Sequence, residues 1–188
     1  MPNTALEEQL RARGLQVTGP CERLSQRLEL LELSPLLRDF TPAETDLLGE
    51  NMLLLRAQPG QLLIAEGEAS DWMMLLLRGT VDVGKRKIGA AADKQEPGDI
   101  TRLAVLKEGA VLGEMSMLDG EPRYASCWAL CEVEAAVLSR PAVGHLISVH
   151  PAVGAKLLVK LTQLLAQRLR NTSSQLVKAL QIQRASGR

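Results

Sequence analysis

Residues 109–127 read Gly-Ala-Val-Leu-Gly-Glu-Met-Ser-Met-Leu-Asp-Gly-Glu-Pro-Arg-Tyr-Ala-Ser-Cys. Gly113-Glu114 and Pro122-Arg123 bracket a short helix-like segment, so an acid and an arginine stand nine residues apart in an otherwise aliphatic stretch. Each lies beside a glycine or proline, where the backbone turns and can approach another group closely. A buried arginine fork calls for acceptors or an anion to meet its donors. The pair predicts a site for one anionic ligand.

On either side of this stretch apolar residues come in short runs, at 52–55, 62–65, 72–77, 80–83, 103–106, 111–112, 125–130 and 133–138. Pro59-Gly60, Glu66-Gly67, Arg78-Gly79, Glu108-Gly109 and Asp119-Gly120 separate most of them as turns. Many short strands about ten residues apart predict a mainly β fold with flanking helices, a jelly-roll (double-stranded β-helix) barrel. Residues 84–101 lack periodicity and read as a long exposed hairpin loop.

Helical periods stand at both ends. Leu6, Leu10, Leu15, Val17, Leu24, Leu28 and Leu31 predict two short amphipathic helices around a turn at Gly14 and Gly19-Pro20. Thr41-Pro42-Ala43-Glu44 combines an N-cap, a proline at the first helical position and a capping glutamate, and opens a further short helix. After Arg140-Pro141, Val143, Leu146 and Ile147 make another, with a boundary at His150-Pro151. A long helix then carries Leu158, Leu161, Leu165, Leu169, Thr172, Leu176 and Leu180 as a stripe. Either the barrel or the same helix of a second chain must cover it. At 1.5 Å per residue its length of about 45 Å exceeds what a small barrel covers, which favours a homodimer. The domains are therefore 1–33, a helical leader; 34–150, the β-barrel with short flanking helices; and 151–188, the long C-terminal helix and tail.

Composition sets limits. The 188 residues are 46% apolar but only 2% aromatic, which predicts one domain with an aliphatic core. No apolar run is long enough for a membrane span and no secretory leader is present, so a cytoplasmic chain without membrane partners is expected. Cys21, Cys127 and Cys131 suit free thiols, and His145 and His150 lack a metal spacing, so no metal site is expected. The segment after Glu134 carries 8 basic and no acidic residues, whereas 1–134 carries a net charge of −8. Such a tail can attract nucleic acid or dock on its own acidic domain.

The spacing Leu6-x3-Leu10-x2-Arg13-Gly14-Leu15-x3-Gly19-x4-Leu24-x2-Arg27-Leu28 resembles the SAP helix-extended-helix DNA-binding motif, with Cys21 where that family usually has lysine. The leader's basic residues Arg11, Arg13, Arg23 and Arg27 are matched by Glu7, Glu8, Glu22 and Glu29. The same segment also reads as a helical leader packed on the main domain.

From Ser34 to Leu180 the order of elements resembles the cyclic-nucleotide-binding domain of the catabolite-activator and cyclic-nucleotide-dependent kinase families. Leu112-Gly113-Glu114-Met115-Ser116-Met117-Leu118 followed by Pro122-Arg123-Tyr124-Ala125-Ser126 is similar to that family's phosphate-binding cassette. The resemblance implies that Arg123 takes the cyclic phosphate, helped by N–H groups near Glu114, Tyr124 and Ala125. It further implies that Gly113, Glu114 and Met115 form the ribose side, with Glu114 accepting from the 2′-hydroxyl. Val83, Leu103 and Leu106 match positions that pack the sugar and base. Arg168-Leu169-Arg170-Asn171-Thr172-Ser173 is similar to the Arg-Leu-x-x-Thr-Ser run of the catabolite-activator branch, where Thr and Ser bond adenine across the dimer. Thr172 and Ser173 thus favour cyclic AMP over cyclic GMP. Tyr124 stands where the family usually has a small or hydroxylated residue; its ring can stack on the ligand, point outward or crowd the phosphate. A buried Glu114–Arg123 ion pair in a barrel without ligand is the plainer alternative.

No recognition helix can be placed after the long helix, and no grouping of nucleophile, base and orienting residue indicates an enzyme. The expected function is a stand-alone, bacterial-type cyclic-nucleotide receptor that signals through its C-terminal helix to a protein partner. The alternative is a DNA-associated protein that uses the SAP-like leader and the basic tail, with the barrel as a dimerisation scaffold.

Overall fold

A computed structural model of the chain describes residues 4–87 and 100–186. Helix α1 (Thr4–Ala12) leads into strand β1 (Gln16–Pro20), a 3₁₀ turn (Leu24–Gln26) and helices α2 (Leu28–Leu33) and α3 (Pro42–Glu50). Strands β2 (Leu53–Ala57), β3 (Leu62–Ile64), β4 (Trp72–Arg78), β5 (Thr80–Arg86), β6 (Ile100–Lys107) and β7 (Val111–Leu112) follow. Helix α4 (Glu114–Asp119), strands β8 (Ser126–Ala129) and β9 (Val133–Ser139), and helices α5 (Arg140–Val149) and α6 (Pro151–Ser186) complete the chain. The strands form two antiparallel sheets, β1-β2-β9-β4-β7 and β3-β8-β5-β6, and among the described residues they do not close into one barrel.

The run at 72–77 is apolar at every position because β4 is covered on both faces. Met73, Leu75 and Leu77 pack with Leu48 of α3, Leu146 of α5 and Leu157 and Leu161 of α6. Trp72, Met74 and Leu76 point the other way, into a second core with Leu63, Ile64, Val81 and Cys127 of the opposite sheet. Strand β9 alternates in the same way, and its register with β4 (Met74↔Val137, Leu75↔Ala136) aligns the two sets.

Helix α3 starts on the expected capping box: Glu44 N–H donates to Thr41 Oγ1 at 3.3 Å, and Thr41 N–H to Glu44 Oε2 at 2.8 Å.

The leader differs in part from the two helices around a turn that its spacing predicts. Residues 16–20 form an edge strand on β2, with Val17 opposite Leu55, and Pro20 closes that edge strand where a lost donor costs little. Leu6, Leu10, Leu15 and Val17 enter the inter-sheet core, so the leader packs on the main domain. The expected loop at 84–101 is shorter than its composition suggests. Gly84 to Arg86 and Ile100 to Arg102 pair as hairpin strands, and residues 88–99 lie outside the described part.

Helix α6 is about 54 Å long for its 36 residues. Its first half is anchored by buried Val153, Leu157 and Leu161. Beyond that Leu169, Leu176 and Leu180 are exposed, at 68%, 60% and 48%.

Candidate functional site

Helix α4 is set between two glycines that only a left-handed backbone allows, Gly113 at φ 73° and Gly120 at φ 82°. Gly113 has a second reason to lack a side chain: a Cβ there would collide with Nη1 of Arg123 and meet Ile64 Cδ1 at 3.2 Å. Arg140, the first residue of α5, donates from Nε to Met117 O at 2.6 Å and from Nη2 to Ser116 O at 2.9 Å. Those bonds supply partners for carbonyls at the end of α4.

Arg123 lies just before β8 and is 3% exposed. Its backbone is paired both ways with the 66–68 turn, Gly67 N–H to Arg123 O at 2.8 Å and Arg123 N–H to Glu68 O at 2.9 Å. The guanidinium donates to Gly113 O at 2.6 Å and to Trp72 O at 2.5 Å and lies 4.3 Å over the Trp72 ring. Its Nε is buried without a partner. Burial lowers the pKa of this guanidinium to about 10; the nearby charge of Arg13 acts in the same direction and that of Glu114 opposes it.

Glu114 is 2% exposed, and its Oε1 accepts from Nη1 of Arg168 on α6. Nη2 of Arg168 also donates to Val111 O at 2.5 Å. The acid and the arginine read as one constellation therefore have separate partners. Glu114 is held by the long helix and Arg123 by main-chain oxygens, so the plainer alternative of a Glu114–Arg123 ion pair is replaced by this arrangement.

A cavity of about 380 Å³ opens between these groups, within the range of small-molecule sites. Gly113, Glu114, Met115, Arg123, Tyr124 and Ala125 line one side, Val83, Leu103 and Leu106 of the second sheet another, and Thr172 of α6 a third. Ser173 is the exception among the expected residues. It follows Thr172 by about 100° of helical rotation and does not line this cavity. Tyr124 is 57% exposed, and Lys85 Nζ lies 4.0 Å over its ring.

Sequence reading assigned no role to Arg168, Asn171 and Gln175, which also line the cavity. With Thr172 they occupy positions i, i+3, i+4 and i+7, one helical face, and that spacing is the signal that could have found them. Among the described residues no group of three or more His, Cys, Asp or Glu could hold a metal, and no helix is long and apolar enough to cross a membrane. The cysteines are free thiols, and burial pushes Cys127 up to about 12 and Cys21 to about 11.

Comparison with known proteins gives a consistent result. The family model for the cyclic nucleotide-binding domain matches residues 54–150. The chain is 28% identical over 148 residues to the CRP-like cAMP-activated global transcriptional regulator of Mycobacterium tuberculosis, covering 79% of this chain and 61% of that protein. It is 27% identical over 135 residues to a cAMP-dependent protein kinase regulatory subunit of Yarrowia lipolytica, covering 72% of this chain and 33% of that one. The chain thus spans less than two thirds of these relatives. Among solved structures, a cyclic nucleotide-binding domain from Methylobacillus flagellatus KT aligns with TM-score 0.74 at 34% identity, over 87% of this chain and 88% of that one. The catabolite activator protein of Thermus thermophilus aligns with TM-score 0.65 at 29% identity, over 76% and 62%.

Proposed function

The chain belongs to the cyclic nucleotide-binding domain family, and from that premise we propose that it is a regulatory receptor, not an enzyme, that takes a cyclic purine nucleotide into this cavity and passes the event on through α6. The observation that carries the reading is Arg123, a buried cation held by carbonyl oxygens, with an unpartnered Nε, on the wall of an open cavity. A cyclic phosphodiester keeps one negative charge near neutral pH, and a guanidinium fork meets it with two parallel hydrogen bonds. Glu114, next to it, accepts from a ribose hydroxyl.

Cyclic AMP is the favoured ligand. Thr172 offers a hydroxyl, while Asn171 and Gln175 offer amides, which pair with the adjacent donor and acceptor of an adenine edge. Because Arg168 and Glu114 bond to each other, a ligand that engages Glu114 changes what holds α6 in place. Output through the helix then follows from different affinities for the two helix positions. Exposed Leu169, Leu176 and Leu180 suit a parallel homodimer along the outer half of α6. Free thiols suit a reducing compartment such as the cytoplasm.

The test is calorimetric titration of the chain with cyclic AMP and cyclic GMP, with Arg123→Ala as control. Heat with cyclic AMP that disappears in the variant is expected. No heat with either nucleotide, or heat unchanged in Arg123→Ala, would overturn the reading.

A further inference from the structure

The leader lies outside the residues matched by the family model, yet it reaches the back of the anion site. Helix α1 ends at Ala12, Gly14 at φ 76° turns the chain into β1, and Arg13 between them faces the 66–68 segment. Arg13 forms an ion pair with Glu68 Oε1, and Gln9 of the same helix donates to that oxygen at 3.4 Å. Gln61 Nε2 donates to Gly14 O at 3.1 Å and so ties the same turn to the second sheet. Side-chain exposures of 22% for Arg13 and 27% for Glu68 make this a sheltered pair rather than a solvated one. The main chain of Gly67 and Glu68 is the segment hydrogen-bonded in both directions to Arg123. Leu6 and Leu10, on the apolar side of α1, share a core with Trp72, whose ring and carbonyl support the Arg123 guanidinium.

We propose that the N-terminal helix is a working part of the anion site: through the Arg13–Glu68 pair it holds the 66–68 turn in register with Arg123, and Arg13 is a positioning residue for the phosphate-binding guanidinium. The proposal rests on the receptor reading given above. It assigns the leader a task within its own chain, where its spacing had suggested contact with DNA. The mechanism is geometric. Arg123 precedes β8 and has no helix of its own to fix it, so its backbone depends on the turn opposite. That turn carries Gly67 at φ 79° and is fastened on its outer side by the leader.

The test uses the full chain, calorimetric titration with cyclic AMP, and thermal unfolding without ligand. Arg13→Met and Glu68→Gln are each expected to weaken binding about tenfold, and the double variant to bind no more weakly than either single, as for groups acting through one contact. Arg13→Lys keeps the charge but not the planar fork and should stay within about threefold of the parent, with its unfolding temperature unchanged. In Arg13→Met the Arg123 Nε–H resonance should move, a response that loss of stability alone does not produce. If Arg13→Met does not fold, Glu68→Gln decides by the same criterion. Parent-like affinity in these variants, whatever happens to stability, overturns the proposal, and so do losses that multiply in the double variant. A parent chain that binds no cyclic nucleotide, or binds without needing Arg123, refutes the receptor reading instead.

Discussion

Removing Arg168 tests how the long helix is fastened. Its guanidinium is bound at two points, Glu114 Oε1 and Val111 O, and Glu114 is 2% exposed. Replacing Arg168 by methionine keeps the stem of the side chain and leaves a buried carboxylate without its cation. Breaking a buried pair in this way costs about 3–5 kcal/mol, but the Arg168 side chain is 42% exposed and solvent screens it, so the lower figure of about 2–3 kcal/mol is expected. For a chain of this size that lowers the unfolding temperature by roughly 4–12 °C. Glu114→Gln/Arg168→Met removes both charges together and should lie within about 1 kcal/mol of the parent. The assay is thermal unfolding by circular dichroism, with hydrogen exchange of the amides of α6 as a local readout. In the single variant those amides exchange faster, while those of β4 and β9 do not until global unfolding. A single variant within about 0.5 kcal/mol of the parent, or a double variant that costs the sum of the two singles, would refute the argument.

Gly113→Ala is expected to impair binding more than folding. The strain of a left-handed alanine is about 1–2 kcal/mol, whereas the new methyl group displaces Arg123 from Gly113 O; titration should show at least a tenfold loss with cyclic AMP, and parent-like affinity contradicts it. Buried Cys21 and Cys127 should resist a thiol reagent in the native protein while half-buried Cys131 reacts, so that one thiol is labelled before unfolding and three after. The two buried thiols also set an alkaline limit. Their folded values of about 11 and about 12 lie above the ordinary value near 9, so the unfolded chain releases protons first; stability is full below pH 9 and falls from there toward pH 12. A denaturation midpoint that does not change between pH 9 and 11 counts against this. Leu176→Glu should convert a dimer into a monomer by sedimentation without lowering the unfolding temperature of the β domain; a monomeric parent rules out the helix interface.

Much of the fold was legible because its strands leave strong local marks. Strand β4 reads as an unbroken apolar run and β9 as one interrupted only by Glu134, since both of their faces are covered, and the turns between strands carry glycine or proline. Strand β1 was hidden because Gly14 and Gly19-Pro20 look like helix breakers on either side of a single turn, and an edge strand of five residues with two buried apolar neighbours makes no period of its own. The hairpin ends at Gly84 to Arg86 and Ile100 to Arg102 were hidden by polarity, since hydrogen bonds rather than burial hold them. At the site, Arg123, Glu114 and Gly113 stand in one short stretch and could be read together. Arg168 is 54 residues from Glu114. Periodicity tells which face of a helix a residue occupies but not what that face meets, so neither its pairing nor the shift of Ser173 out of the cavity lining could be read from spacing.

Where the basic charge goes bears on the DNA-associated alternative. Non-specific binding to a duplex scales with the number of phosphates neutralised, so it needs cations that are free to meet them. Along the tail, Arg140 donates to carbonyls at the end of α4, Lys156 bonds Glu44, Lys160 bonds Asp39 and Arg168 bonds Glu114. In the leader, Arg11 pairs with Glu7, Arg13 with Glu68 and Arg27 with Glu134. Four of the eight basic residues after Glu134 are thus met within the chain, three of them by acids, and those three tie α6 to α3, to Asp39 and to α4. Lys178 and Arg184 lie beyond those contacts, on the segment that carries exposed Leu176 and Leu180. A surface of that kind suits a partner helix with its own apolar face, where the charges flank the seam. The charge pattern that first suggested nucleic acid is therefore compatible with the receptor proposed above, in which the inner half of α6 would report on the ligand and the outer half would carry the response.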